Sequence, residues 1–143
     1  MKLQIMLFNK NIIMEKGKLQ IRIDSANNHI VECYLKNGSI WMDRHELCEL
    51  FGCYMRDIDR CIEDIFTKKL LHVEDTCKYH IVAGGRRVSY DITAVNLTVI
   101  ITMAFRLETT ESQTLRLWFV EQVAKMRSFD ILFPDIGENF RFN

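Results

Sequence analysis

The chain has 143 residues, with nineteen basic and nineteen acidic side chains, 48% hydrophobic residues, one proline and six glycines. A chain of this length buries roughly 70% of its unfolded surface, so it needs no disulfide or metal to hold a core. Because the charges balance, the protein as a whole does not attract nucleic acid or an anionic membrane electrostatically. Any such partner must bind through a local basic patch.

The first part of the chain, residues 1–42, predicts an antiparallel β meander. Apolar and polar side chains alternate over residues 19–23 and again over residues 31–35, as half-buried strands require. A Lys-Asn-Gly turn at residues 36–38 then leads into a short third strand at residues 39–42. With so little material for a linker, we expect one domain over residues 1–143.

A pair of helices is predicted after the meander. Asp43 can cap the first helix, with Glu46 three residues on completing a capping box. Gly52 stops that helix, because glycine readily adopts the positive φ of a helix C-terminus. A second helix over residues 54–66 carries an apolar stripe at helical spacing. Two helices joined by a tight glycine turn indicate a helix-turn-helix arrangement.

A β-hairpin is predicted next, with strands at residues 77–83 and 86–90 around Gly84-Gly85. A Gly-Gly pair suits a two-residue hairpin turn, which places Arg86 and Arg87 at or beside the tip. Residues 43–90 thus predict a winged helix-turn-helix-like core in an α+β protein.

The C-terminal part, residues 91–128, is predicted to be helical. One helix covers residues 92–105, and another starts at Thr110, where Gln113 repeats the capping-box spacing. Residues 129–143 are predicted to form an irregular aromatic tail with four phenylalanines, laid on the domain or on a partner. Because exposed apolar strips mark interfaces, we expect a homodimer through the C-terminal helix or the tail.

Three stretches of the sequence carry a family resemblance. The first is Ile40-Trp41-Met42 followed by residues 46–52, and the second is Ile58, Ile62 and Ile65-Phe66 in the second helix. The third and most specific is residues 96–107 together with Leu115-Arg116-Leu117-Trp118, which follows after residues 108–114. Over about residues 12–126 the chain resembles the RhuM-type virulence-associated proteins. It is more distantly similar to the N-terminal domain of Bro-type phage antirepressors.

The resemblance implies a DNA-binding or regulatory domain of a bacterial mobile element or virulence-associated protein, and it implies no enzyme activity. The candidate DNA-binding residues are Tyr54, Arg56, Arg60, Lys68, Lys69, Arg86 and Arg87. In a winged helix the second helix enters the major groove, where arginine bonds guanine edges and phosphates. The wing arginines would hold backbone phosphates, and the two lysines would extend that contact.

A second interpretation of the same residues stays open, because the second helix is acidic overall. Asp57, Asp59, Glu63 and Asp64 outnumber its two arginines. Acidic side chains that face phosphate weaken DNA binding, so the helix can also be an ordinary solvated surface. The alternative function is a protein–protein interaction module on the same fold, without DNA binding.

The chain shows no pattern typical of a catalytic, cofactor or metal site. Its five cysteines are Cys33, Cys48, Cys53, Cys61 and Cys77. Their odd number and the absence of a Cys-x-x-Cys pair predict free core thiols in a reducing compartment, with no metal or cofactor. No third group orients His45 toward Cys53, so no catalytic residue is assigned.

Two family-motif arginines and two apolar segments complete the predictions. We expect Arg106 and Arg116 to pair with Glu108, Glu111 or helix ends and to fix the last two helices. The apolar N-terminus is broken at residues 9–11, and the later apolar run is too short to cross a bilayer. We therefore expect a cytoplasmic protein that makes no membrane contact.

Overall fold

The computed structural model describes residues 16–126, which form an α+β fold of two antiparallel β-hairpins and five helices. The predicted α+β class is therefore confirmed, whereas the predicted aromatic tail lies outside the described residues. The elements in chain order are β1 (Lys18–Ile23), β2 (His29–Tyr34), α1 (Arg44–Phe51), α2 (Met55–Thr67), α3 (Val73–Thr76), β3 (Cys77–Gly84), β4 (Arg87–Val95), α4 (Leu97–Ala104) and α5 (Thr110–Lys125).

Strands β1 and β2 pair in antiparallel register, with Leu19 opposite Cys33. The Asp24 carboxylate shapes the connecting turn, accepting hydrogen bonds from two backbone N–H groups at 2.9 and 2.8 Å. The predicted third strand is wrong. Over residues 36–42 the chain makes one bridge that closes a turn, then leaves the hairpin to bury Ile40 and Met42 in the core.

The predicted helix pair is confirmed. The residues that begin its first helix, and those that end it, make their contacts within a single turn, so their pattern is visible in the sequence. The Asp43 side chain accepts from the Glu46 N–H at 2.9 Å, and the Glu46 carboxylate accepts from the Asp43 N–H at 3.2 Å. Gly52 ends α1 in the left-handed conformation, with φ of 61°. Helix α2 begins after Tyr54, and its apolar stripe is buried against α1 and α4.

The second hairpin differs from the prediction at both ends. Gly84 pairs with Arg87, so the turn residues are Gly85 and Arg86, one position later than predicted. The helix predicted from residue 92 is also wrong at its start, because β4 continues to Val95 and α4 begins only at Leu97. The β-branched residues over 92–95 favour the strand once β3 offers a pairing edge.

A two-residue backbone bridge joins this hairpin to the start of the helix pair. The Met42 N–H donates to the Val95 carbonyl at 3.0 Å, and the Val95 N–H donates to the Met42 carbonyl at 2.9 Å. Asn96 follows at once and caps α4, its side-chain oxygen accepting from the Val99 N–H at 3.3 Å. The base of the hairpin is thus held against α1 and α4.

Helix α5 begins at Thr110, as predicted, but its capping pair lies one residue earlier than predicted. Thr109 is its cap, and Ser112, not Gln113, completes the reciprocal pair. The chain between α2 and β3 forms the short helix α3, which was not predicted. All these elements contribute to one hydrophobic cluster, whose fully buried larger members are Ile40, Leu47, Phe51, Ile58, Ile65, Val95, Val99, Ile100, Met103 and Leu115.

Candidate nucleic-acid interface

The outer face of α2 is set by the residues that the helix buries. Ile58, Cys61, Ile62 and Ile65 occupy one stripe at helical spacing. Residues 56, 60, 63 and 67 point the opposite way, because successive side chains turn by about 100° around a helix. Arg56 and Arg60 therefore lie one turn apart on the solvent face.

The acidic residue Asp59 lies on one flank of α2 and is paired with an arginine from α1. The Nε atom of Arg44 is 2.6 Å from the Asp59 Oδ1 atom. The same guanidinium donates from Nη1 to the Ile92 carbonyl in β4. Arg44 thus connects both helices to the hairpin and neutralises one carboxylate of α2.

The opposite flank of α2 carries Asp64, which has two cationic partners. Lys68 Nζ lies 3.1 Å from Oδ1, and Arg106, just after α4, bonds Oδ2. The hydrogen bonds from Lys68 and Arg106 hold the pKa of the Asp64 carboxyl below its usual range. Asp64 therefore stays ionised and paired at neutral pH.

These pairs change the charge that α2 presents. By sequence the helix holds four acidic and two basic residues, but Arg44, Arg106 and Lys68 add three positive charges at its flanks. Five basic groups thus stand against four acidic groups. The helix and its ion-pair partners carry a net charge of about +1, with Arg56, Arg60 and Glu63 on the solvent face.

Tyr54 extends the solvent face at the N-terminal end of α2. Its side chain is 74% exposed, which is unusual for a residue with so large an aromatic ring. The Arg56 guanidinium carbon lies 5.7 Å from the centre of the Tyr54 ring, a cation–π distance. Tyr54, Arg56 and Arg60 form one exposed group, which we call the α2 face.

The tip of the β3–β4 hairpin carries the other predicted pair. Arg86 and Arg87 are exposed, and neither makes an ion pair within residues 16–126. Nearer the base, the Tyr90 hydroxyl donates to the Glu74 carboxylate at 2.8 Å, and this bond raises the pKa of Tyr90. The hairpin thus presents two guanidinium groups at its tip that form no ion pair with any residue the structure describes.

The structure brings together only part of the predicted set. Tyr54, Arg56 and Arg60 share the α2 face. Lys68 is used to pair Asp64, and Lys69 is exposed beyond the end of the helix with φ of 56°. In the part of the chain that the structure describes, no hydrogen bond or ion pair joins the hairpin tip to α2.

Three arginines outside the predicted set have structural roles. Arg44 was missed by sequence reasoning, and Arg106 pairs with Asp64 instead of the predicted Glu108 or Glu111. Arg116 donates from Nη1 to the carbonyls of Ala104 and Leu107, both at 2.7 Å. The expectation of a helix-end partner is therefore confirmed for Arg116, which caps the C-terminus of α4.

The cysteines are free thiols in the structure. Burial raises the pKa of Cys53 and of Cys61 to about 11, so neither is a ready nucleophile at neutral pH. Within residues 16–126, no group of three or more His, Cys, Asp or Glu side chains is arranged to hold a metal ion. The α2 face and the hairpin tip remain the surfaces with the clearest chemistry.

Comparisons with models of known protein families, with curated proteins and with solved structures give no match. Over the described residues, every helix is too short or too polar to span a bilayer.

Proposed function

We propose that this protein is a DNA-binding regulatory domain with a winged helix-turn-helix core. Helix α2 would enter the major groove, and the β3–β4 hairpin would act as the wing. The observation that supports the proposal is the pairing of Asp59 and Asp64 by Arg44 and Arg106, which leaves two arginines and one glutamate, Glu63, on the solvent side of α2. A DNA-binding role, and no catalysis, is also what the resemblance to the RhuM-type proteins implies, with the bacterial cytoplasm as the compartment.

The α2 face has the chemistry for both kinds of DNA contact. Arginine forms two parallel hydrogen bonds with the guanine edge, and it binds phosphate through the same donors. Arg56 and Arg60 are one helical turn apart, so they reach neighbouring positions along a groove. The Tyr54 ring limits the conformational freedom of Arg56, which lowers the entropy lost when that arginine binds.

The hairpin tip supplies a contact of a different kind. Arg86 lies in the turn and Arg87 is the first residue of β4, and both are exposed, so they suit the phosphate backbone better than base edges. Lys69 adds a further exposed cation beyond α2. Such contacts supply affinity without sequence preference and depend strongly on salt, because each one releases condensed counterions.

The test measures binding of the full chain to duplex DNA by fluorescence anisotropy across a series of salt concentrations. The Arg86→Ala/Arg87→Ala variant should bind all sequences more weakly, with a salt slope flatter by roughly 0.9 per lost contact. Arg56→Ala or Arg60→Ala should lose roughly 1–3 kcal/mol and relax preference at one base pair, if that arginine contacts a base edge.

The matched control is Arg22→Ala. Arg22 lies on β1 and pairs with Glu32 at 2.6 Å, so its removal changes the net charge without touching the α2 face or the hairpin tip. Its DNA affinity should stay within about twofold of wild type. No duplex binding by the wild-type protein at low salt, where electrostatic attraction is strongest, would reject the proposal.

One observation favours the alternative function, a protein-interaction module. Ile81 and Val88 lie on the same face of the β3–β4 hairpin, and their side chains are 64% and 68% exposed. Exposed apolar side chains on a hairpin are typical of a protein contact. A wild-type protein that ignores DNA at low salt would make this hairpin face, tested with Ile81→Ser and Val88→Ser, the preferred interaction surface.

We also propose that the protein forms a homodimer through α5. Leu117 is exposed on the outer side of that helix, and Val120 is exposed on its flank, one turn further on. A two-fold pair would present two α2 faces to two half-sites of DNA. Light scattering should report a dimer for the wild type and a monomer for Leu117→Asp, and a monomeric wild-type protein at high concentration rejects this arrangement.

A further inference from the structure

A second surface of the molecule is an apolar groove that the DNA proposal does not use. Its volume is about 730 Å³, within the range of sites that hold a ligand or a peptide segment. Leu97, Ile101 and Phe105 line it from the α4 side, and Trp118, Val123 and Met126 line it from α5. Leu35 and Cys33, from the β1–β2 hairpin, lie at its other wall.

The position of the groove follows from how α5 runs out of the core. Leu115 and Phe119 are buried against the rest of the protein. Gln122, Val123 and Met126 continue the same side of the helix, at three, four and seven residues from Phe119. Yet Val123 is 67% exposed and Met126 is 58% exposed, because no described element covers this end of the helix. The apolar side of α5 therefore extends beyond the part of the helix that other residues of 16–126 cover.

The chain that follows Met126 matches this uncovered face in composition and in starting point. Met126 itself lines the groove, so residues 127–143 begin at its rim. They include Phe129, Phe133, Phe140 and Phe142. A covering segment in the same chain loses less translational freedom than a separate partner, since the linkage makes its effective concentration high.

We propose that residues 127–143 fold back onto this groove in the same molecule and complete the hydrophobic core. The phenylalanines would contact Trp118 and Phe105 and shield Cys33 from solvent. The groove lies on the core side of α5, whereas Leu117 of the dimer proposal lies on its outer side. Val120 lies between the two surfaces and lines the edge of the groove, so the tail and the dimer contact meet at this residue.

Cys33 reports whether the groove is covered. The full chain is pulsed with iodoacetamide, digested, and the modification of each cysteine is followed by mass spectrometry. Cys33 should react about tenfold more slowly in the wild type than in a variant with all four tail phenylalanines changed to serine, because docking lowers the open fraction. Cys48 and Cys53 lie outside the groove and should react equally in both, which shows that the fold is unchanged.

Two α5 variants localise the effect. Val123→Asp puts a charge into the groove and should expose Cys33 as the tail variant does. Leu117→Asp is the matched control, because Leu117 is 64% exposed and outside the groove, so Cys33 should stay protected. A groove covered by a second copy would lose its protection on dilution, whereas protection within one molecule is the same from about 1 to about 100 μM.

Three results would overturn the proposal. The first is equal Cys33 reactivity in the wild type and the phenylalanine-to-serine variant. The second is protection that disappears on dilution, which assigns the groove to a second copy. The third is a Val123→Asp variant that keeps full protection, which places the tail elsewhere. None of these outcomes depends on DNA binding, so this proposal and the proposed function stand or fall separately.

Discussion

Replacing Gly52 with alanine tests how the turn between α1 and α2 is held. Gly52 has φ of 61°, a conformation that costs an alanine about 1–2 kcal/mol relative to its preferred regions. An added Cβ atom would also lie 2.6 Å from the Cδ atom of Glu111, in the first turn of α5. The substitution therefore combines backbone strain with a contact to a neighbouring helix.

The backbone strain at Gly52 is expected to cost more than the contact with Glu111. The contacting atoms belong to the far end of a flexible side chain, so Glu111 can swing aside at little cost. We expect Gly52→Ala to lower the free energy of unfolding by about 1–2 kcal/mol, nearly all of it from the backbone. For a chain of this size, that corresponds to a fall in Tm of about 3–8 °C.

The assay is urea unfolding followed by circular dichroism, with thermal melts as a second measure. Gly38→Ala is the matched control, because Gly38 has φ of 76° but an added Cβ there meets nothing within 4 Å. The double variant Gly52→Ala/Glu111→Ala shows whether the contact contributes. A wild-type-like Gly52→Ala would refute the strain argument, and a loss above about 4 kcal/mol would refute the claim that Glu111 yields.

Three further predictions concern single side chains. Arg116→Ala should lower the free energy of unfolding by about 1–3 kcal/mol in urea titrations, because two carbonyls at the end of α4 lose their donor. Asp64→Asn should destabilise the protein at pH 7. The folded-state pKa of Asp64 is lowered, so its ion pairs stabilise the protein fully above the usual pKa of about 3.9. This stabilisation is lost as the pH falls through the lower folded-state pKa. The curves of unfolding free energy against pH for the wild type and the variant should therefore converge in acid. Cys53 and Cys61, with pKa values of about 11, should resist alkylation at pH 7, since roughly one thiol in ten thousand is ionised, and fast labelling of the native protein would contradict this.

The parts of the fold that sequence reasoning predicts well depend on neighbouring residues. The capping box at Asp43 and Glu46 and the positive φ of Gly52 involve contacts within one turn, so their pattern is visible in the sequence. The boundary between β4 and α4 is different. Residues 92–95 are mostly apolar and include three β-branched side chains, which suits a buried helix or a strand. Pairing with β3 and Met42 decides for the strand.

In the candidate site, too, local features were predictable from the sequence and long-range contacts were not. Arg56, Arg60, Arg86 and Arg87 are exposed, as their predicted places on a helix and at a hairpin tip require. The ion pairs that neutralise α2 join residues 15 and 42 positions apart, Arg44 with Asp59 and Arg106 with Asp64. No periodicity encodes a partner at that separation. The sequence therefore makes α2 look more acidic than it is.

The bridge between Met42 and Val95 makes residues 43–94 a loop closed at a single neck. Closing a loop of about fifty residues costs roughly 3.5 kcal/mol of chain entropy, so the neck is expected to form after the helices and hairpin within it. The helix pair and the hairpin thus resemble one cassette inserted between β2 and α4. Its buried side chains nevertheless pack on the helices outside it, α1 on α5 and α2 on α4, so replacing residues 43–94 as a unit would have to preserve both the bridge and these contacts.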